Sequence, residues 1–245
     1  ITLFYNRKIK IAFKKILISR NIFVFIVVGI LGLTFIQGLF SAPNTTDSMV
    51  YHLPRVMYWV QNHTLYQDTI RNSHDFMAPF AEYVMLHLYL IANGDRILFF
   101  SQWLAFAVVI ILSFLISKQL GLDGKRGKLI ALFVATLPIG VLQATSTQTD
   151  MVVNVMVMFS LYFALIFAKT PSLKNSLLFG FAIGLGILTK ATFILFLIIP
   201  FGILLSKIYR RWRQYFTLII VSLLIIGITQ VRLIDQNFRL YGNFS

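Results

Sequence analysis

The sequence has no cysteine among its 245 residues, and only 12% of those residues are charged. The missing cysteine excludes disulfide bonds, thiolate nucleophiles and metal sites with thiolate ligands. The low charge excludes an ordinary soluble globular domain, because such domains carry about 25% charged residues. The sequence also has no glycine-rich phosphate-binding loop, which excludes the nucleotide-binding folds that depend on one.

What the chain has is apolar sequence: 58% of its residues are hydrophobic, and its mean hydropathy is +0.81. This composition is typical of a polytopic membrane protein. The isoelectric point near 10.2 would suggest nucleic-acid binding in a soluble protein. Here the basic residues lie in short loops beside apolar runs, where topology and anionic lipid headgroups account for them. We therefore expect membrane lipid as a partner and no nucleic acid.

The charged residues divide between the two sides of the predicted membrane segments. If successive connections face opposite sides, one side holds sixteen of the 22 basic residues: Arg7, Lys8, Lys10, Lys14, Lys15, Arg20, Lys118, Lys125, Arg126, Lys128, Lys169, Lys174, Lys207, Arg210, Arg211 and Arg213. The other side holds seven of the eight acids: Asp47, Asp68, Asp75, Glu82, Asp95, Asp150 and Asp235. By the positive-inside rule the basic side is cytoplasmic. Chemistry is therefore expected on the acidic, extracytoplasmic side.

The apolar runs predict an all-α fold, a polytopic helical membrane protein with about seven transmembrane helices and no soluble domain. The predicted crossings are Ile22–Phe40, Ile97–Ser117, Leu129–Leu142, Met151–Ala168, the two halves of Asn175–Ser206, and Phe216–Val231. Residues 1–21 would be a cytoplasmic basic segment, 41–95 an outer loop and 232–245 an outer segment. Residues 1–245 then form a single transmembrane domain. The missing initiator Met and the turn-like end indicate part of a longer chain.

The stretch Asn175–Ser206 predicts a break within the membrane. Its 32 residues would be about 48 Å long as one helix, and one crossing would place the bases at 207–213 on the acidic side. Two short helices that turn near Thr189 and Lys190 keep those bases on the cytoplasmic side. The turn should line a cavity, because unpaired backbone groups cannot face lipid.

The outer loop 41–95 contains two amphipathic patterns. In Asp47–Asn62 apolar residues recur at helical spacing, and the opposite stripe carries Asp47, Tyr51, Arg55 and Tyr58. Pro54 should bend this helix. A second helix is predicted over Pro79–Ala92, which is too short to span the membrane, with one apolar side formed by Phe80, Val84, Met85, Leu88 and Ile91. Both segments suit helices that lie in the membrane interface.

Three charged residues stand out by position, and each has a structural and a functional interpretation. Asp47 opens the first amphipathic helix and Asp150 opens a predicted crossing, so each acid can serve as a helix cap, with Thr147 or Thr149 sharing that role beside Asp150. Lys190, at the outer turn, can extend to lipid headgroups. Alternatively, an acid at the membrane edge indicates a functional site, and the lysine is a fixed cation that holds a phosphate.

The outer loop also contains side chains that can bind divalent metals: His52, His63, His74, Asp75, Glu82 and His87. No two of them have the i, i+4 spacing that places two ligands on one face of a helix. A divalent metal is therefore one option for a cofactor, without a defined ligand set.

Several short motifs, taken in their order along the chain, resemble those of a known enzyme group. They are Asp47–Arg55, Gly94–Arg96, Thr147–Asp150, Gly184–Lys190 and the tail Asn237–Asn243, which looks like a loop of that group. Their order and sidedness resemble the GT-C integral-membrane glycosyltransferases that use polyprenyl-phosphate sugars, including protein O-mannosyltransferases and lipid A aminoarabinose transferases. The chain is similar in particular to bacterial dolichyl-phosphate-mannose-protein mannosyltransferase-like proteins. Such enzymes usually have more than seven crossings, so this chain would be the N-terminal part.

The resemblance implies an inverting transfer of a sugar from a polyprenyl-phosphate donor to a glycan, lipid or protein acceptor, at the outer face of a bacterial plasma membrane. Asp47 would be the general base on the acceptor hydroxyl, and Asp150 would orient the acceptor or a metal. Three cations would stabilise the departing phosphate: Lys190, Arg55 and Arg96. The amphipathic helices would roof a substrate groove with the side chains Tyr51, His52, Glu82 and Asp95.

Two other functions compete with the transferase. A permease should have charged or broken segments near mid-membrane and often repeated halves, whereas here the charges lie at segment ends and no repeat is visible. A non-catalytic membrane assembly subunit is favoured if the protein has no further crossings. The full reading frame discriminates between them, since several further spans favour the transferase.

Overall fold

The computed structural model describes residues 22–43, 45–66, 74–209 and 212–242, with no description of the side chains at 207, 208 and 214. The described residues form helices and contain no β-strand, so the predicted all-α fold is confirmed. The predicted cytoplasmic segment 1–21, together with Asp68, Arg210 and Arg211, lies outside the described residues.

In chain order the described α-helices are α1 (Ile22–Phe40), α2 (Leu53–Asn62), α3 (Phe80–Ala92), α4 (Phe100–Gln119), α5 (Gly124–Ala135), α6 (Pro138–Gln143), α7 (Asp150–Lys169), α8 (Leu173–Ile187), α9 (Ile198–Ile208) and α10 (Trp212–Tyr241). A π-helical turn, Ser48–His52, leads directly into α2, and a 3₁₀ segment, Ala191–Leu197, leads into α9. Pro54 lies in the first turn of α2, where its missing N–H removes no helical hydrogen bond.

Four of the described helical segments are long and apolar enough to cross a membrane: α1, α4, α7, and Tyr215–Tyr241 within α10. The predicted crossings Ile22–Phe40 and Met151–Ala168 match α1 and α7 closely. The crossing predicted from Ile97 begins at Phe100. The last predicted crossing, Phe216–Val231, lies within α10. The remaining predicted crossings correspond to shorter helices, so the count of seven is not confirmed and stays a prediction.

The predicted third crossing, Leu129–Leu142, is wrong in its bounds. The helix begins at Gly124, because the Asp123 carboxylate caps it by accepting a hydrogen bond from a first-turn N–H at 2.7 Å. It ends before Pro138, where a separate short helix starts. Proline has no N–H and clashes with the preceding turn of a continuous helix, so the apolar run is divided between α5 and α6.

The last helix extends beyond Val231, where the crossing was predicted to end, because α10 continues unbroken to Tyr241. The placement of residues 232–245 on the outer side stays a prediction. The Arg239 Nε donates to the Asp235 carboxylate at 3.0 Å, and an ion pair at i, i+4 stabilises a helix. The tail motif Asn237–Asn243, which resembled a loop, is therefore mostly helical. The sequence pattern did not predict this part of the helix, because its residues are largely polar and the apolar run ends before it.

The break predicted near Thr189 and Lys190 is confirmed. The helix α8 ends at Ile187, Lys190 has extended backbone with φ −160°, and the chain continues as the 3₁₀ segment. The Leu188 carbonyl accepts a hydrogen bond from the Phe80 N–H at 2.9 Å. Since both groups lie at helix ends and lack intrahelical partners, this bond fixes the start of α3 to the break.

Both amphipathic helices are present, but their buried faces differ from the predicted ones. The helix α2 buries Leu53 and Val56, which belong to its predicted apolar stripe. It also buries Trp59, which was outside that stripe, and Arg55, which the prediction placed on the polar stripe. The helix α3 buries Glu82, whereas Ile91, predicted on the apolar side, is 79% exposed. Two charged side chains are therefore enclosed between these helices and their neighbours.

Small residues set the distance between α8 and α10. Ser176, Gly180 and Gly184 recur every four residues on α8, and a Cβ on Gly180 would lie 2.9 Å from the backbone oxygen of Ser222. The hydroxyls of Ser176 and Ser222 are 3.1 Å apart and hydrogen-bonded. A stripe of small residues lets helix backbones approach closely where no hydrophobic effect drives association.

We expect Gly180→Leu to force α8 and α10 apart and to destabilise the detergent-solubilised protein by about 1–3 kcal/mol, the usual cost of overpacking. Gly227→Leu is the matched control, because a Cβ on this α10 glycine meets nothing within 4 Å. Thermal unfolding followed by tryptophan fluorescence measures the difference. Equal unfolding midpoints for the two variants would contradict the packing described.

Candidate active site

The break after α8, the start of α3 and the π-helical turn before α2 enclose a cavity of about 280 Å³. From the outer loop its lining includes Tyr51, His52 and Glu82, and from the break it includes Thr189 and Lys190. The hydrogen bond between α3 and the end of α8 holds these two groups of residues together. Polar side chains from distant parts of the sequence therefore face the same space.

Tyr51 connects the cavity to Asp47. Its ring stacks on His74 with centroids 4.4 Å apart and planes 6° apart, and it also contacts His52. Burial, followed by the negative charge of Asp47 and a hydrogen bond to that carboxylate, raises the pKa of Tyr51 to about 12. The phenol therefore keeps its proton at neutral pH and donates it in a hydrogen bond to Asp47. Asp47 therefore lies next to a residue that lines the cavity.

Glu82 is the centre of a buried charged cluster. Its Oε1 atom lies 2.8 Å from His52 Nδ1 and 3.1 Å from Arg55 Nη1, and the three side chains are at most 6% exposed. Arg55 also donates to the backbone oxygens of His74 at 2.6 Å and Met77 at 3.1 Å. The guanidinium of Arg55 therefore holds residues 74–77 against α2 and α3, and it is enclosed by protein.

The second carboxylate oxygen of Glu82, Oε2, is buried and has no hydrogen-bond partner among the described residues. Leaving a buried acceptor unsatisfied costs about 1–3 kcal/mol or more. Since Glu82 lines the cavity, a ligand hydroxyl placed there would supply the missing hydrogen bond.

At the break, Lys190 Nζ lies 2.6 Å from Asp150 Oδ1, and both side chains are 37% exposed. The ammonium is therefore paired with a protein carboxylate rather than extended to lipid headgroups. The Lys190 side chain also lines the cavity, so a ligand in the cavity can reach its ammonium group. An ammonium has three N–H donors and the pair uses one of them. The arrangement can hold an anion such as a phosphate against a fixed cation.

The carboxylate oxygen of Asp150 that does not bind Lys190 is linked to two glutamines, one directly and one through the first. Asp150 Oδ2 accepts from Gln143 Nε2 at 3.2 Å, and Gln143 Oε1 lies 3.4 Å from Gln102 Nε2. The fully buried Gln102 caps α7, because its Oε1 accepts from two first-turn N–H groups at 2.9 and 3.2 Å. Sequence reasoning missed both glutamines. The available signal was a glutamine within the apolar run of α4, where a polar group is costly without partners.

Asp150 lies in the first turn of α7, where the helix dipole favours an acid, but the expected side-chain capping hydrogen bonds are not found. Asp47 has helical backbone angles and its side chain makes no capping hydrogen bond. Thr149 immediately precedes α7 and also makes none, because Gln102, from another helix, occupies that position. The buried Thr147 hydroxyl has no partner among the described residues.

The structure brings together most of the predicted site residues, though not all. Four line the cavity, namely Tyr51, His52, Glu82 and Lys190, and two contact that lining, namely Asp47 and Asp150. Arg55 lies behind Glu82. Asp95 and Arg96 are exposed in the turn between α3 and α4 and are not part of the described cavity lining. The roles assigned to these residues stay predictions.

No three of the described His, Asp and Glu side chains lie close enough together to hold a metal ion. His52 is engaged with Glu82, and His87 Nδ1 lies 2.6 Å from the carbonyl oxygen of Tyr83 in its own helix. The described residues thus offer no ligand set for the divalent metal that the sequence left open.

Comparison with known proteins gives one match. A family model described as dolichyl-phosphate-mannose-protein mannosyltransferase matches residues 76–234, which is more than half of the chain. No curated protein and no solved structure matches. The matched segment contains Glu82, Gln102, Gln143, Asp150 and Lys190. Together with the apolar helices around the cavity, this match places the chain in the dolichyl-phosphate-mannose-protein mannosyltransferase family of integral-membrane GT-C glycosyltransferases, which use lipid-linked sugars.

Proposed function

We propose that this protein transfers a sugar from a polyprenyl-phosphate donor to a hydroxyl acceptor at the extracytoplasmic face of a bacterial plasma membrane. The observation that carries the proposal is a single cavity lined by both an accessible, paired ammonium, Lys190, and the carboxylate residue Glu82. Asp47 lies next to Tyr51 in the lining of the same cavity. The positive-inside pattern supports this orientation and a topology of seven crossings over the chain. The proposal covers a glycan, lipid or protein acceptor.

Lys190 is the proposed contact to the donor phosphate. As the bond between the anomeric carbon and the phosphate oxygen breaks, negative charge grows on that oxygen, and a fixed cation stabilises it. Asp150 holds the ammonium at 2.6 Å and leaves two N–H donors for the phosphate. Arg55 is enclosed, so we assign it to holding the outer loop. Arg96, in its exposed turn, is placed outside the reaction centre.

Asp47 is the proposed general base. It accepts the proton of the acceptor hydroxyl while the hydroxyl oxygen bonds to the anomeric carbon and the lipid phosphate departs. Attack from the side opposite the phosphate inverts the anomeric centre, as a single displacement does in inverting glycosidases. The Tyr51 hydroxyl, which keeps its proton, fixes the orientation of the Asp47 carboxylate.

Glu82 is proposed to accept a hydrogen bond from a sugar hydroxyl through Oε2. Glu82→Gln keeps the shape and one oxygen for His52 and Arg55, but replaces the free carboxylate oxygen with an N–H donor. We expect KM for the donor to rise about tenfold, since a hydrogen bond to a charged group contributes about 1.5–3 kcal/mol. Steady-state kinetics measure the change, with His87→Gln on the same helix as control. A donor KM equal in both variants would contradict the contact.

One observation favours a second function. The interruption between α8 and α9 resembles the discontinuous helices at which transporters bind their substrates, so a permease for a lipid-linked or anionic solute is the alternative. Against the permease, the sequence shows no visible internal repeat, and its charged residues lie at the ends of the predicted crossings.

The two functions are separated by one assay on membranes that contain the full-length protein and the native acceptors. A panel of radiolabelled polyprenyl-phosphate sugars, with dolichyl-phosphate mannose among them, is supplied as donor. If the protein is a transferase, the labelled sugar should appear on an acceptor and unlabelled polyprenyl phosphate should be released. If it is a permease, the labelled donor should cross a sealed membrane with its sugar–phosphate bond intact. Failure to release polyprenyl phosphate from any donor would contradict the transferase.

A further inference from the structure

We propose that Gln102 and Gln143 form a directed hydrogen-bond relay that positions Asp150 and, through Asp150, the ammonium of Lys190. Both glutamines are positioning residues, since neither contacts Lys190 in the described structure. The catalytic value of the relay depends on the proposed function, in which Lys190 binds the donor phosphate. The relay itself is a property of the contact between α4, α6 and α7.

The direction of the relay follows from the groups at its two ends. At one end the N–H groups of Met151 and Val152 can only donate, so Gln102 must present its oxygen to them, at 2.9 and 3.2 Å. Its NH₂ group therefore faces the oxygen of Gln143 at 3.4 Å. Gln143 then presents its own NH₂ group to Asp150 at 3.2 Å. A carboxylate can only accept, so the donors and acceptors of all four hydrogen bonds match in one direction.

The relay leaves Asp150 little freedom to rotate. Its Oδ2 accepts from Gln143 and its Oδ1 accepts from Lys190, so turning the carboxylate breaks one of the two bonds. The Ser146 hydroxyl lies 3.0 Å from the Gln143 backbone carbonyl oxygen and 3.1 Å from Gln143 Oε1, and its single hydrogen is shared between these two acceptors. Gln102, fully buried, has no water to replace these partners, so breaking its bonds costs more than at a surface.

The relay changes the role expected for Asp150. The resemblance implied that this acid orients an acceptor or a metal, but both of its oxygens are engaged by the protein itself. Asp150 is instead an anchor that sets where the Lys190 ammonium stands at the edge of the cavity. Because the anchor is held through Gln143 and Gln102, the packing of α4 against α7 fixes the position of the cation.

The substitution Gln102→Glu should disrupt the relay while it preserves the cap on α7. The carboxylate still accepts hydrogen bonds from the two N–H groups of α7, and an anion there is favoured by the helix dipole. Its other oxygen, however, faces the oxygen of Gln143. Gln143 must turn its amide or move away, and in either arrangement Asp150 loses its donor. Gln143→Leu removes the same donor without touching the cap.

The position of Lys190 is measured without any donor, by labelling the full-length protein in nanodiscs with an amine-reactive acylating reagent and quantifying lysine peptides by mass spectrometry. The internal reference is Lys169, at the far end of α7, whose Nζ lies 2.6 Å from the Gln119 carbonyl. Asp150→Asn is the positive control, because it removes the anion that holds Lys190. Ser113→Ala is the matched control, since Ser113 is buried on α4 and bonds only to its own helix.

In Gln102→Glu we expect labelling of Lys190 relative to Lys169 to rise severalfold, as in Asp150→Asn, while the unfolding midpoint stays near that of the unmodified protein. Transfer from dolichyl-phosphate mannose should fall about tenfold, because misplacement of a binding group by a fraction of an ångström lowers the rate. Ser113→Ala should change neither quantity. If the Gln102→Glu protein does not fold, the labelling of Lys190 in Gln143→Leu tests the relay instead.

Unchanged labelling in Gln102→Glu and Gln143→Leu, beside increased labelling in Asp150→Asn, would overturn the relay. Unchanged labelling in Asp150→Asn would overturn the anchoring role of Asp150. The two relay variants could also increase the labelling of Lys190 in a protein that transfers no sugar from any donor. That result would support the relay and refute the proposed function.

Discussion

Replacing Asp47 with asparagine should abolish sugar transfer while expression and membrane insertion stay normal. The amide keeps the size of the side chain and can still accept the hydrogen bond from Tyr51, but it cannot take the proton of the acceptor hydroxyl. A general base typically contributes about a hundredfold to ten-thousandfold to the rate, and a loss of this size is expected in kcat. Transfer of label from a polyprenyl-phosphate sugar in membranes measures it.

Asp235→Asn is the control for this variant. Asp235 is another acid on the predicted outer side, and it forms an ion pair with Arg239 at an exposed part of α10, where such pairs contribute little to stability. Its substitution should leave transfer unchanged. An active, normally expressed Asp47→Asn protein would remove the general base from the mechanism and leave Asp47 as the hydrogen-bond partner of Tyr51.

Replacing Lys190 with glutamine should lower transfer about a hundredfold to a thousandfold, the range found when a group that stabilises transition-state charge is removed. The ammonium is also expected to bind the ground-state phosphate, so KM for the donor should rise as kcat falls. Lys190→Arg should retain part of the activity, because the charge is kept but the planar guanidinium presents its donors differently. Kinetics with donor in the range around KM measure both parameters.

Lys169→Gln is the matched control, since Lys169 is another lysine bonded to a protein oxygen but on the side predicted to be cytoplasmic. It should leave both kinetic parameters unchanged. A Lys190→Gln enzyme with the donor KM and kcat of the unmodified protein would show that the phosphate binds elsewhere. It would reopen the roles of Arg55 and Arg96.

The sequence predicted the features of the fold that depend on residues close together in the chain, such as apolar helices and the break between two of them. The apolar runs of α1 and α7 were recognisable from their length and composition. The two amphipathic helices were recognisable from their hydrophobic spacing, although that spacing did not predict all the residues that they bury. The break at Lys190 was recognisable from charge, since one continuous crossing would have placed four bases on the wrong side. The division between α5 and α6 was also readable in Pro138, an interruption that the apolar composition around it concealed.

The contacts that define the site were not predictable, because they join residues far apart in the chain. Lys190 and Asp150 were each recognised as candidates, but their pairing depends on how α8 returns beside α7. Arg55 was placed on a polar stripe by helical spacing. It is buried because Glu82, on another helix, and two backbone oxygens of residues 74–77 accept its hydrogen bonds. Gln102 was overlooked because a glutamine in an apolar run has no visible partner until α7 packs against α4.

The central claim is tested most directly by transfer in sealed membrane vesicles of both orientations that contain the full-length protein. A short-chain, water-soluble prenyl-phosphate sugar that does not cross membranes serves as labelled donor, with Asp47→Asn as the inactive reference. We expect label on acceptor and released prenyl phosphate only in right-side-out vesicles, where the outer loop and its cavity face the medium. Transfer confined to inverted vesicles, or equal turnover by Asp47→Asn, would contradict the account.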